Sequence, residues 1–213
     1  MDLLDAIRTT PTCRFYSPEP VPEALLARVL DAARYAPTGG NRQPVRFVAV
    51  RDAAKRRRLA GLYLPHWERY FAQVTRGERN VGAPPRIVAN ADHFARHLAE
   101  VPVLIVACAK LDDVHPTDAA LGRLSIVGGA SVYPALQNLL LAARAEGLGT
   151  ALTTLLCAEE PAVKELLAIP PELATAATIA LGWPARPFPQ RLSRRPLREI
   201  AFLDRYGDAL PGA

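Results

Sequence analysis

The side chains best suited to bind or stabilise a ligand are hydroxyls and guanidiniums in two segments that prolines interrupt. Thr10, Thr12 and Arg14 stand close together in the first segment. The C-terminal tail, residues 183–213, interleaves prolines with Arg186, Arg191, Arg194, Arg195 and Arg198. A guanidinium makes paired hydrogen bonds with phosphate oxygens, and a fixed cation stabilises charge that develops on a ring. The two segments together indicate a site for a ligand with a phosphate and a polar heterocycle.

Three other groupings leave alternatives open. His93 and His97 are four residues apart on a possible helix and could bind zinc, or they are ordinary surface or capping histidines. No third ligand is evident, so we predict no metal site. Cys13 lies beside Arg14, which could lower the pKa of its thiol and make it a nucleophile, but no histidine is nearby in the sequence. Residues 128–131 (GGAS) precede an apolar helix, where they could bind an anion or allow tight packing.

The elements that must position these groups alternate between helices and strands, which predicts a layered fold around a central sheet. Predicted helices cover residues 2–9, 22–36, 52–62, 64–74, 131–146 and 159–168, and predicted strands cover 45–50, 103–110, 150–154 and 174–181. The helix at 131–146 is apolar nearly all round, which is typical of a core or a subunit interface. Residues 75–90 contain Gly-Ala-Pro-Pro and predict a mobile excursion or lid. Residues 55–58, a basic run, predict a solvated helix face.

Composition excludes several classes of protein. The chain has 213 residues, of which 50% are hydrophobic and 22% are charged, so we expect one globular domain over residues 1–213. No apolar run approaches the ~20 residues of a membrane helix, and no secretory signal is present, so we expect a cytoplasmic protein without membrane partners. The three cysteines form no Cys-x-x-Cys pair. A net charge of +5 invites a nucleic-acid hypothesis, but no nucleic-acid motif accompanies it.

Four stretches, in order along the chain, resemble the flavin-dependent nitroreductases. They are TPTCRFY with PEPVP (residues 10–22), AARYAPTGGNRQP (32–44), ALQNLLLAA with GLGT (135–150), and GWPA with RRPL (182–197). The resemblance implies an α+β fold, a three-layer sandwich with a central, mostly antiparallel sheet flanked by helices. It also implies a homodimer with FMN at the subunit interface and a tail, residues 183–213, that wraps the partner.

The resemblance further implies an activity. NAD(P)H would give hydride to FMN and leave, and a small organic acceptor such as a nitroaromatic or quinone would then enter, in a ping-pong sequence. The flavin carries this chemistry, so no side chain is predicted to be catalytic, and Arg14 gives electrostatic support. NADPH and NADH both remain open as donors.

The cofactor-binding residues are implied position by position. The loop around the FMN phosphate, ribityl chain and pyrimidine edge is matched by Thr10, Pro11, Thr12, Cys13 and Arg14. The partner-subunit loop beside the isoalloxazine is matched by Pro37, Thr38, Gly39, Asn41 and Gln43. The backbone near N5 is matched by Thr153, Thr154 and Leu155, and the phosphate anchors by Arg191 and Arg194.

The sequence departs from the family pattern at the first loop. Thr10, Pro11 and Thr12 replace the usual Arg-Arg-Ser, so one phosphate guanidinium is absent from its usual place. Either Arg8 or the tail compensates, or FMN binds more weakly. Val45 also replaces a common tryptophan. The lost Arg-Arg-Ser makes a flavin-binding or storage protein with little turnover one alternative. Two others are a specialised flavin-dependent dehydrogenase of a small metabolite and, from the net charge, a basic nucleic-acid-binding module.

Overall fold

A computed structural model of the chain describes residues 1–78, 82 and 84–212. Its helices are α1 (Leu3–Thr9), α2 (Glu23–Ala33), α3 (Ala53–Thr75), α4 (Pro85–Arg96), α5 (Tyr133–Ala145) and α6 (Glu160–Leu167), and its strands are β1 (Val45–Val50), β2 (Val103–Lys110), β3 (Gly149–Thr153) and β4 (Leu173–Gly182). None of the helices in this described part is long and apolar enough to cross a bilayer.

The four strands form one antiparallel sheet in the order β1-β2-β4-β3. Side chains of β2 alternate between two cores: Val103 and Ile105 pack with α2 and α5, whereas Leu104 and Val106 pack with residues of α3, α4 and α6. A strand covered on both faces reads as a continuous apolar run, which is why β2 lacks polar alternation. The predicted α+β, three-layer architecture is confirmed.

The segment predicted as two helices, residues 52–62 and 64–74, is one continuous helix, α3, with Pro65 inside it. Proline removes one backbone donor and crowds the carbonyl of the residue four positions earlier, which is Gly61. The buried face of Leu59, Tyr63 and Trp67 continues across the proline. Burial of that face against the second core outweighs one missing hydrogen bond, because most helix stability in proteins comes from packing.

Replacing Gly61 by alanine is expected to stabilise the protein by about 0.5–1 kcal/mol, because glycine inside a helix loses more backbone entropy than alanine. An added Cβ at Gly61 meets no atom within 4 Å. The matched control is Gly147→Ala, where φ is +81° at the end of α5 and the same change should destabilise. Chemical denaturation of both variants measures the two free energies. Destabilisation by Gly61→Ala would show that the glycine relieves strain at Pro65.

The predicted excursion at residues 75–90 is wrong in its second half, because α4 begins at Pro85. Proline suits the first turn of a helix, where its missing N–H costs nothing, and Phe94 and Ala95 bury the helix against the second core. The pair Pro84-Pro85 is therefore a helix start. Residues 79–81 and 83, which the excursion prediction also covers, lie outside the described residues.

The basic run at residues 55–58 is only partly a solvated face. Arg56 is half-buried, and its guanidinium donates to the carbonyl oxygens of Ala99 (2.8 Å) and Val101. Burial lowers the pKa of Arg56. This side chain thus fixes α3 to the turn before β2, while Lys55, Arg57 and Arg58 are exposed as predicted.

Candidate functional site

The first polar loop is fixed along the free edge of the sheet. Thr12 forms a parallel bridge with Thr150 of β3, and the Cys13 N–H donates to the Thr150 carbonyl at 2.7 Å. Gly149 makes this approach possible, since a Cβ there would lie 2.6 Å from the Cys13 sulfur and 2.8 Å from its Cβ. Further along, the Ser17 N–H donates to the carbonyl of Trp183 at 2.8 Å. The loop therefore follows β3 and then the segment after β4.

A cavity of about 240 Å³, here called the central cavity, opens between this loop, α3, α4 and the end of β3. It is lined by Thr12, Arg14, Tyr63, Trp67, Tyr70, Ala91, Phe94, Ala151, Leu152, Thr153 and Leu155. Four predicted cofactor-binding residues thus line one cavity: Thr12, Arg14, Thr153 and Leu155. Their two segments lie about 140 positions apart in the chain. Thr154 is exposed at the start of the turn that follows β3.

The central cavity combines one cation with aromatic walls. Arg14 is half-buried, and burial lowers its pKa, yet a guanidinium stays charged in proteins. Burial raises the pKa of Tyr63, so its phenol is neutral, and the Thr153 hydroxyl donates to it at 3.5 Å. Trp67 is oriented by its indole N–H, which donates to Asp92 at 2.8 Å. Such a cavity suits a flat heterocycle whose polar edge carries negative charge.

The aromatic wall on α3 was missed by the sequence analysis. Tyr63, Trp67 and Tyr70 follow one another at intervals of four and three residues, which is the spacing of one helix face. Interruption of the predicted helix near Pro65 hid this pattern. A continuous helix over 53–75 would have placed all three rings on the same side.

The surroundings of Cys13 do not favour the alternative of a reactive thiolate. Burial raises the pKa of the Cys13 thiol, and this thiol donates to the Phe15 carbonyl at 3.3 Å. Cys13 contributes to the loop through its backbone N–H instead.

The two histidines considered as zinc ligands, His93 and His97, stack on each other. The His93 and His97 rings lie 4.0 Å apart, and Nδ1 of His97 bonds the His93 carbonyl at 2.7 Å. Within residues 1–78, 82 and 84–212, no group of three His, Cys, Asp or Glu side chains is arranged for a metal.

The second polar loop, residues 37–43, is a strained turn on another part of the chain. Asn41 and Gln43 have φ of 54° and 50°, whereas Gly40 adopts its φ of 60° without strain. Thr38 Oγ1 accepts from the Gln43 N–H, and Ser131 Oγ accepts from the Gly39 N–H, each at 3.1 Å. Backbone strain of this kind is often retained at functional sites.

This loop does not reach the first one within a single chain. Thr38 and Gln43 line a cavity of about 200 Å³ beside α2, and no residue of the first loop lines it. Pro37, Gly39 and Asn41 stand in the same turn. In residues 128–131, Gly129 leaves room for the Tyr133 ring, since a Cβ there would lie 2.5 Å from it, which supports the packing alternative.

Three of the tail arginines line a cavity of about 750 Å³ beside the first helix, here called the tail cavity. Its basic lining residues are Arg8, Arg191, Arg194 and Arg195. The Leu192 N–H donates to the Arg8 carbonyl at 2.9 Å, which ties the tail to α1. Arg8 therefore stands where a guanidinium could replace the one absent from position 10. The Thr10 hydroxyl donates to the Ala6 carbonyl at 2.6 Å and completes the end of α1.

Comparisons with known proteins match nearly the whole chain. A sequence model described as the Nitroreductase family matches residues 7–183. The chain is 33% identical to a 5,6-dimethylbenzimidazole synthase from Rhodospirillum rubrum, over 86% of this chain and 85% of that protein. It is 31% identical to an NADH dehydrogenase from Thermus thermophilus, over 81% and 82%. A nitroreductase candidate from Desulfovibrio desulfuricans, solved in complex with FMN, superposes with a TM-score of 0.69 at 26% identity, covering 97% of this chain and 98% of that one.

Proposed function

The chain belongs to the nitroreductase family, and from this premise we propose that it is an FMN-dependent oxidoreductase that passes electrons from NAD(P)H to a small organic acceptor, such as a nitroaromatic or a quinone. The observation that carries the proposal is that Arg14, Thr153 and Leu155 line the same aromatic-walled cavity. We propose that it acts in the cytoplasm, where NAD(P)H is available.

The residues present fit FMN. The rings of Tyr63, Trp67 and Phe94 offer flat apolar contacts for an isoalloxazine, and Arg14 offers a cation for its pyrimidine edge. The tail cavity offers several guanidiniums for a phosphate. Arg8, Arg191 and Arg194 would hold that phosphate, and Thr12 would contact the ribityl chain. When bound, FMN would supply hydride acceptance and donation at N5.

The roles of this chain's residues follow from their positions. Arg14 would stabilise negative charge on the pyrimidine side of the cofactor without moving a proton, because a guanidinium cannot act as an acid near neutral pH. Thr153, Thr154 and Leu155 would set the backbone against the cofactor's reactive edge. Tyr63 and Trp67 would exclude water from the same cavity. Donor and acceptor would then occupy one space in turn, which is a ping-pong sequence.

The proposal includes a homodimer. Apolar side chains of α1 (Leu3, Leu4 and Ile7) are exposed, and Leu124 and Ile126 are 89% and 76% exposed. Apolar surface of this extent is typical of an interaction site. A second copy would cover this surface and bring its loop 37–43 to the central cavity, which no residue of that loop lines within one chain. Light scattering should give twice 23.1 kDa.

The decisive experiment is an absorbance spectrum of the purified protein before and after anaerobic addition of NADPH or NADH. We expect the flavin bands in the oxidised protein and their bleaching by at least one donor. Bands that persist with both donors would favour the flavin-storage alternative. A colourless protein that takes up no added FMN would contradict the proposal.

A second candidate is a flavin-dependent dehydrogenase of a small metabolite. It is favoured by the similarity to a protein named 5,6-dimethylbenzimidazole synthase. The two candidates differ in turnover: a reductase consumes NAD(P)H continuously with a quinone or nitroaromatic acceptor, whereas the alternative would reduce these acceptors poorly.

A further inference from the structure

A second cationic cavity, here called the arginine cavity, adjoins the central cavity. It has a volume of about 270 Å³ and shares Thr12 and Arg14 with the central cavity. Arg86 of α4 and Arg186 of the segment after β4 also line it, together with Asn90. Three arginines from three distant parts of the chain therefore line one space beside the proposed FMN site.

The positive charge in the arginine cavity is not neutralised by the protein. In the described part of the chain, no carboxylate pairs with Arg14, Arg86 or Arg186, and no acidic side chain lines the cavity. Like charges that converge without a counterion repel one another, so an arrangement of this kind gains most from a bound anion.

The arrangement holds Arg186 in place before any ligand arrives. Its guanidinium carbon lies 3.3 Å from the centre of the Phe15 ring, and that ring stacks on His93 at 4.4 Å. Burial lowers the pKa of His93, with nearby His97 and Arg186 acting in the same direction, so this ring is neutral at neutral pH. A guanidinium held on an aromatic face loses less freedom when it binds an anion.

The arginine cavity is separate from the tail cavity, since the two have no lining residue in common. FMN carries one phosphate, and the tail cavity, with Arg8, Arg191 and Arg194, is the site proposed for it. With the FMN phosphate assigned to the tail cavity, the arginine cavity is left for a different anion. Arg14 and Thr12 line the arginine cavity and also the central cavity. A ligand anchored in the arginine cavity would therefore extend toward the central cavity.

We propose that Arg86, Arg186 and Asn90 bind a phosphate or pyrophosphate group carried by a reactant other than FMN, so that the arginine cavity anchors that reactant while its reactive part lies in the central cavity. This inference rests on the proposed function. A phosphorylated nicotinamide donor and a phosphorylated acceptor share this chemistry.

The test is calorimetric titration of inorganic pyrophosphate into the FMN-loaded protein and into Arg86→Gln, Arg186→Gln and Arg58→Gln. Arg58 is an exposed arginine of α3, so its variant removes the same charge away from the cavity. We expect saturable binding that each cavity variant weakens about tenfold or more, because a charged hydrogen bond is lost, whereas Arg58→Gln changes it less than about twofold. The flavin absorbance of each variant should be unchanged.

Competition identifies the source of the group. If pyrophosphate raises the KM of NADPH or NADH, the donor occupies the cavity; if it raises only the KM of a phosphorylated acceptor, the acceptor does. Three results would overturn the proposal: no saturable pyrophosphate binding, equal weakening by Arg58→Gln, or loss of FMN from Arg86→Gln and Arg186→Gln, which would make this cavity the FMN phosphate site. Absence of FMN from the wild-type protein would instead count against the proposed function, and the pyrophosphate titration would still report on the cavity.

Discussion

Replacing Arg14 by alanine is expected to slow the reduction of bound FMN by NAD(P)H about a hundredfold, while FMN affinity falls less than about tenfold. Arg14 is the cation of the central cavity, and it is half-buried without a carboxylate partner in the described part of the chain. A cation so placed acts most strongly when negative charge develops beside it, so its loss affects the reaction more than binding. Stopped-flow absorbance at saturating donor measures the limiting rate, and an FMN titration measures affinity.

Two variants control this experiment. Arg14→Lys keeps the positive charge without the planar fork and should recover part of the rate. Arg58→Ala removes an exposed charge of α3 and should leave both quantities unchanged. A limiting rate that does not change in Arg14→Ala would show that this guanidinium has no role in flavin reduction.

The second large effect is expected from Gly149→Ala, which should lower FMN affinity by at least tenfold and destabilise the protein by about 1–3 kcal/mol. The new Cβ would lie 2.6 Å from the Cys13 sulfur and 2.8 Å from its Cβ, so the loop must move away from β3. Movement would break the bond from the Cys13 N–H to the Thr150 carbonyl and displace Thr12 and Arg14. FMN titration and chemical denaturation measure the two effects.

The same contact supplies a matched pair of controls. Cys13→Gly removes both clashing atoms and should restore FMN binding in the Gly149→Ala background, whereas Cys13→Ala keeps the Cβ and should restore little. Normal FMN affinity in Gly149→Ala would mean that the loop tolerates the displacement and does not position the cofactor.

Much of the fold could be predicted from local pattern. The bounds of β1 and β2 agree with the predicted 45–50 and 103–110, because branched and apolar residues run without interruption between breaking residues. The prediction of helix bounds failed at prolines, because a proline can interrupt a helix or be accommodated in one. Pro65 lies inside a helix whose buried face holds it together, and Pro85 begins a helix that was predicted as an excursion. Local propensity does not include the tertiary packing that decides such cases.

The site could be predicted only in part. Residue type and the resemblance identified Arg14, and the resemblance alone identified Thr153. Only the bridge between Thr12 and Thr150 shows that their segments lie side by side. Nothing in the sequence indicated that Arg86 and Arg186 line the same cavity, because Arg86 belongs to α4 and Arg186 follows β4. Contacts between residues about a hundred positions apart follow from topology rather than from local composition.

The position of the first loop has a consequence for aggregation. β3 is the last strand of the sheet, and an uncovered strand edge is a template for intermolecular pairing and aggregation. Thr12 and Cys13 cover part of that edge with the backbone that also borders the central cavity. The residues that border the central cavity therefore also protect the sheet against edge-to-edge association.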